Sequence, residues 1–148
     1  MLLKDGIPFM QTGAIRVRYS ETDKMGVVHN ANYLSWFELA RTELCRNFGK
    51  PYKGWEIQGY YLPVIEAHCN YKYPATYDDV VLLFCRVPVE QIKPHSVLFE
   101  YRAMLDPDRL LAEGWTKHAF VNAESKIYRK NNLFQKWLLE EAEKFYAN

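Results

Sequence analysis

One long helical period, followed by strand periods almost to the C-terminus, most limits how this chain can fold. Tyr33, Leu34, Phe37, Ala40, Leu44, Cys45 and Phe48 recur at three- and four-residue steps, as neighbours on one helix face do. Asn30 is a favoured helix-capping residue, and Gly49 with Pro51 supplies a stop. Ahead of this helix, Ala14 to Ser20 alternates and reads as a strand with Arg16 and Arg18 on one side. Behind it, in Leu62 to Tyr73, Ile65, Ala67, Cys69, Tyr71 and Tyr73 share one face and Glu66, His68, Asn70 and Lys72 the other. Val80 to Val89 is almost wholly apolar, as expected of a strand covered on both faces. His95 to Leu105 alternates again, Asp106-Pro107-Asp108-Arg109 makes a turn, and Leu110 to Ala123 is the last strand. Asn131 or Asn132 caps a final amphipathic helix carrying Leu133, Phe134, Trp137, Leu138 and Phe145.

Consecutive strands joined by short turns build an antiparallel sheet, and a single long helix covers only one of its faces. The expected class is α+β. The open face and the sheet edges call for a cover, which a second subunit often supplies. An aromatic content of 16% points the same way. The 148 residues fit one domain, 1–148, with no repeat or linker.

Charge excludes some partners. Nineteen basic and 18 acidic residues leave a net +1, so nothing in the balance favours nucleic acid or an acidic membrane surface. Met1 to Gly13 is interrupted by Asp5, Gly6 and Pro8 and is too short for a signal peptide. No segment approaches the ~20 apolar residues of a membrane span. Cys45, Cys69 and Cys85 are widely spaced, cannot all pair, and form no C-x-x-C motif, which fits reduced thiols in the cytoplasm.

Chemistry concentrates between Thr22 and Tyr33. Asp23 precedes the helix start, where the positive end of the helix dipole favours an acid and free N–H groups can hold an oxyanion. Gly26 supplies the turn between them, and Val28 and Tyr33 flank the presumed substrate position. Asp23 acts either as a nucleophile forming a mixed anhydride or as a general base on water. His29 invites a Ser/His/Asp reading, but no Gly-x-Ser-x-Gly elbow supplies the serine, so it stands with Asp23, Gly26 and Asn30 in the candidate catalytic group, either as a polar pocket residue or as a catalyst. His29, His68, His95 and His118 lack ligand spacing, and no metal is expected.

The run R-Y-x-E-T-D-K-M-G-V-V-x-x-A-N-Y-L-x-W-F-E-x-A-R-T-E, Arg18 to Glu43, resembles the 4-hydroxybenzoyl-CoA thioesterase family. It is most similar to the bacterial acyl-CoA thioesterase branch that includes the Tol-Pal-associated enzyme. E-A-H-C-N-Y-K-Y-P-A-T-Y-D-D, Glu66 to Asp79, is similar to the same branch, and the likeness spans roughly Gly13 to Lys126. The resemblance implies a hotdog fold, a long central helix wrapped by a curved antiparallel sheet of about five strands, with the C-terminal helix added. It implies hydrolysis of an acyl-CoA or other carrier thioester to free acid and thiol, with no cofactor beyond the CoA of the substrate. It also implies a homodimer with paired sheets, built into a homotetramer with sites at the dimer interface.

By the same resemblance Asp23 is the catalytic acid and the Asn30 N–H the oxyanion donor, while Lys93, His95 and Ser96 fall where the family meets CoA phosphates. Lys126, Arg129 and Lys130 form a second basic group that reads first as solvated surface. The branch often has Tyr-His where this chain has His29-Asn30. Another hotdog branch carries its acid on the central helix, which makes Glu38 the rival carboxylate, about 12 Å along the axis from Asn30. Two further functions stay on the list: a hotdog dehydratase or hydratase using His29 with Glu43, and a non-catalytic acyl-CoA-binding subunit. The chain lacks the proline-rich loop expected after the histidine of the former. Trp36, Phe37, Trp55, Tyr60 and Tyr61 either line the acyl pocket or fill the core.

Overall fold

The computed structural model describes residues 3–4, 6–105 and 108–147. A two-residue pairing of β1 (Leu3–Lys4) with β2 (Ile7–Pro8) leads into β3 (Met10–Arg16). The long helix α1 (Ala31–Phe48) follows, then the short helix α2 (Tyr52–Ile57). Strands β4 (Val64–Tyr71), β5 (Val80–Arg86), β6 (Ser96–Leu105) and β7 (Arg109–Ala119) come next, and α3 (Leu133–Tyr146) ends the chain. The five long strands form one antiparallel sheet in the order β3-β5-β6-β7-β4, and α1 lies against it. This is the α+β hotdog arrangement expected above.

The alternation seen in the sequence decides which face is core. Val81, Leu83 and Cys85 of β5 meet Val97, Phe99, Tyr101 and Ala103 of β6 beneath Trp36, Phe37, Ala40 and Leu44 of α1. The Phe37 ring stacks on Tyr101 with centroids 4.6 Å apart. Gly49 takes a left-handed φ of +117° and ends α1 as anticipated. Asn132, not Asn131, caps α3, its Oδ1 accepting from the Gln135 N–H at 2.9 Å. Trp55 is stacked on Phe134 at 4.7 Å, so it fills core rather than lining an acyl pocket, and Trp36 and Phe37 are likewise buried.

Several expectations shift. The first strand starts earlier and ends sooner than Ala14 to Ser20, because Tyr19–Glu21 closes into a single 3-10 turn. The loop expected after Gly49 contains α2, whose Gly54 and neighbouring Pro51 disguise it. In β5 the inner face is sealed, but Val80, Leu82 and Phe84 on the other face are only half-buried, so the strand is not covered on both sides. The fourth strand stops at Tyr71 and is an edge exposed on both faces, with Cys69 alone half-buried. Of the expected turn Asp106 to Arg109, the Asp106-Pro107 part lies outside the described residues.

Candidate active site

The loop between β3 and α1 is built by short-range backbone bonds. The Gly26 N–H donates to the Asp23 carbonyl at 3.0 Å, and Gly26 reaches this with a φ of +80° that favours glycine. The Asp23 N–H donates to the Val27 carbonyl at 2.9 Å, and Val28 then hydrogen-bonds the Ala75 carbonyl at 2.8 Å. The Asp23 carboxylate is held by one oxygen only. Its Oδ1 accepts from the Met25 N–H at 2.8 Å and the Val27 N–H at 3.4 Å, and Oδ2 has no protein donor among the described residues. A carboxylate oriented at one oxygen and open at the other is suited to attack or to take a proton from water.

The helix start differs from expectation in one respect. Asn30 occupies the cap position but already has helical angles (φ −54°, ψ −33°), and its side chain makes no cap bond. A cap residue normally keeps extended angles so that its side chain can reach the N–H groups ahead of it. His29 takes that task instead, its Nδ1 accepting from the Ala31 N–H at 3.1 Å. An accepting Nδ1 places the proton of the neutral ring on Nε2. The Asn30 N–H itself donates to no acceptor among the described residues, which leaves it available to an oxyanion.

Asp23, Val28, His29, Asn30 and Tyr33 line one cleft of about 450 Å³, closed on its far side by Tyr71, Lys72, Tyr73 and Pro74. The residues singled out around the motif therefore meet in space. Lys93, His95 and Ser96 do not join them. They lie where β6 begins, beside Ala119 and Phe120, at the opposite end of the sheet from Tyr71. Lys93 and His95 are exposed there and Ser96 is buried. Lys126, Arg129 and Lys130 are exposed, and Asn132 ties their segment to the same end through the Pro94 carbonyl.

Three supporting residues were not foreseen. Glu21 is buried, with Oε1 accepting from the Arg18 N–H (2.8 Å) and Oε2 from the Trp36 indole (3.1 Å). Burial works to raise its carboxyl, but those two bonds and the Arg18 guanidinium outweigh it and hold the group below the ordinary range. Asn32 reaches back from α1 to the Glu21 carbonyl at 2.9 Å, so the loop bearing Asp23 is tied to the helix at both ends. On β4, the Tyr71 hydroxyl donates to the Asn30 carbonyl at 3.1 Å, and its ring packs edge-on against Tyr33 at 5.4 Å. Burial, then the adjacent Cys69, pushes Tyr71 up to about 12, so it remains a donor at neutral pH. The capping-box order Arg18…Glu21 and the side-chain alternation that sets Tyr71 apart from Lys72 were the available signals.

Other nucleophiles are poorly placed. Burial raises all three thiols, Cys45 to about 12, so none offers a thiolate at neutral pH. Among the described residues no three His, Cys, Asp or Glu side chains gather as a metal site would require. Glu38 lies on the exposed side of α1 in a different cleft from Asp23.

A half-tethered carboxylate thus shares one cleft with a helix N-terminus, in a hotdog fold whose sheet wraps that helix. The chain belongs to the thioesterase-like superfamily, whose family model matches residues 17–142. The acyl-CoA thioesterase YbgC of Haemophilus influenzae is 36% identical over 104 residues, 70% of this chain and 72% of that one. YneP of Bacillus subtilis is 32% identical over 124 residues, covering 83% and 88% of the two chains. Among solved structures, a DHNA-CoA thioesterase from Staphylococcus aureus superposes with a TM-score of 0.81 at 31% identity, over 91% of this chain and 89% of the other.

Proposed function

We propose that this protein hydrolyses acyl-CoA thioesters to a free acid and CoA, with Asp23 as the reacting carboxylate and the Asn30 N–H as oxyanion donor. The observation that carries the reading is the pairing, in one cleft, of a carboxylate with a free oxygen and an unengaged amide at a helix start. As a base, Asp23 takes a proton from water while the water oxygen attacks the thioester carbonyl. The carbonyl electrons move onto oxygen, where the Asn30 N–H and the helix dipole stabilise them. Collapse of that intermediate breaks the C–S bond, and the departing thiolate is protonated. As a nucleophile, Asp23 instead displaces the thiolate itself, and water then cleaves the mixed anhydride. Both routes use the same oxygen and the same N–H, with no metal or cofactor.

A dehydratase reading would need His29 and Glu43 to act together. The Glu43 carboxylate instead pairs with Arg46 at 3.2 Å, and Glu43 is absent from the residues that line the Asp23 cleft. Thiol release from a panel of short, long and aromatic acyl-CoAs tests the assignment, and a 3-hydroxyacyl-CoA distinguishes the rival. Release of free thiol supports hydrolysis; loss of water with the thioester intact supports the dehydratase.

The assembly belongs to the same reading. The β4 edge is unpaired, and Val64 and Ile65 on its two faces are each 52% exposed, a surface that a second copy of β4 would continue as an antiparallel pair. Such a homodimer also brings the Lys93–Ser96 end of one subunit toward the partner's site, where those residues would meet CoA phosphates. The half-buried outer face of β5 is the surface on which two such dimers would stack into a homotetramer. The absence of any helix long and apolar enough to cross a membrane among the described residues, with three free thiols, fits a cytoplasmic site of action.

A further inference from the structure

The seam between α1 and β4 has a second cleft beyond the Asp23 cleft, with no lining residue in common with it. The two elements run in opposite senses: Tyr71 at the end of β4 touches Asn30 ahead of α1, while Val64 and Ala67 share a second cleft with Leu34 and Arg41 further along the helix. From Asn30 to Arg41 is eleven residues, about 16 Å of helix rise, the reach of an extended acyl chain of medium length. The second cleft has a volume of about 470 Å³. A chain anchored by its carbonyl at Asn30 and lying along this seam ends there.

That end is polar. Arg41 Nη1 lies 3.2 Å from His118 Nε2 and 3.5 Å from the Tyr101 hydroxyl, and Thr116 Oγ1 lies 2.8 Å from the same imidazole nitrogen. His118 is wholly buried, and its Nδ1 faces the Leu62 carbonyl at 2.9 Å, a contact that only an N–H can make. Arg41 can only donate, so Nε2 is the acceptor and the ring is neutral. Arg41 forms no ion pair among the described residues, although Glu38 and Glu56 line the same cleft. Its Nε and Nη2 donors have no protein acceptor among those residues. A half-buried guanidinium with spare donors favours a ligand oxygen. Two glutamates in the cleft disfavour a carboxylate, whereas a hydroxyl both accepts from Arg41 and donates to a glutamate.

We propose that the α1/β4 seam holds the acyl chain and that the Arg41–Glu38 cleft at its end selects acyl groups bearing a distal hydroxyl. The proposal rests on the thioesterase reading, so its test does not depend on turnover. Thioether analogues of dodecanoyl-CoA, with a methylene between carbonyl and sulfur, are compared with no ω-group, an ω-hydroxyl or an ω-carboxylate, and their dissociation constants are measured by calorimetry. The ω-hydroxy analogue is expected to bind on the order of ten-fold or more tighter than the plain one, as a hydrogen bond to a charged donor gives. Arg41→Met is expected to remove that preference. If Arg41→Met does not fold, Glu38→Ala on the exposed face of α1 serves, weakening the hydroxylated analogue several-fold and the plain one little. Equal or tighter binding of the plain analogue, or a preference for the carboxylate, overturns the assignment. Hydrolysis is read separately by thiol release from ordinary acyl-CoAs, so failure of the subsite and failure of the activity are distinguishable.

Discussion

At the scale of single residues, the helix start separates two roles that adjacent positions ordinarily share. The cap bond comes from the His29 side chain, and the free N–H belongs to Asn30. His29→Ala is therefore expected to destabilise the fold by about 1 kcal/mol, the usual worth of a cap, while Asn30→Ala changes stability by a few tenths at most. Urea unfolding of the two variants checks this, and the reverse order would return the cap to Asn30. Tyr71→Phe removes the bond to the Asn30 carbonyl without disturbing the ring contact with Tyr33. Its expected signature is a fall in kcat of about ten-fold with KM little changed, since a shifted oxyanion donor is felt mainly in the transition state. Asp23 and Gly26 were legible from sequence because an acid, a turn glycine and a helix start fell within a few residues. Tyr71 was not, because its partner is a backbone carbonyl 41 positions away.

At the scale of elements, the helix and strand periods were plain where one face is buried and misleading where none is. α1 shows its period because Tyr33, Phe37, Ala40, Leu44 and Phe48 are all buried. β4 alternates just as cleanly in sequence, yet stands exposed on both faces, since a period marks which residues align and not what covers them. α2 escaped notice because a six-residue helix holding a glycine has too little period to read. Between β4 and β7 the approach is tight: a Cβ at Gly114 would collide with the His68 carbonyl and crowd Phe37. Gly114→Ala should thus either prevent folding or lower the thermal midpoint sharply. His118 beneath α1 adds a pH dependence. Burial, then the Arg41 charge, lowers it from 6.5 to about 4, so the unfolded chain binds a proton there more readily than the folded one. The stability this confers on the neutral form is fully present above about pH 6.5 and is lost as pH falls toward 4, on the order of 3 kcal/mol across that range. Thermal midpoints at pH 7 and pH 5 should show the loss, and His118→Gln should flatten it. Glu21 adds a fall of the same sign at lower pH, below its unfolded value of 4.5.

At the scale of the whole molecule, the central helix, the five-stranded sheet and the acid at the helix start form one argument, and the rest depends on what meets the open edge. The sequence periods carry the hotdog order of elements, but nothing in a single chain's pattern says that Lys93 and Asp23 end up at opposite ends of the same sheet. Sedimentation should therefore find a dimer or tetramer; a monomer at micromolar concentration that still turns over acyl-CoA would remove the role assigned to β4. The most direct test of the central claim is thiol release from acyl-CoA by the Asp23→Asn variant, with its circular dichroism and sedimentation matched to the parent protein. Loss of the carboxylate should lower kcat/KM by about a hundred-fold or more, the range expected for a lost base or nucleophile. An Asn variant that is folded, assembled and as active as the parent would contradict the account.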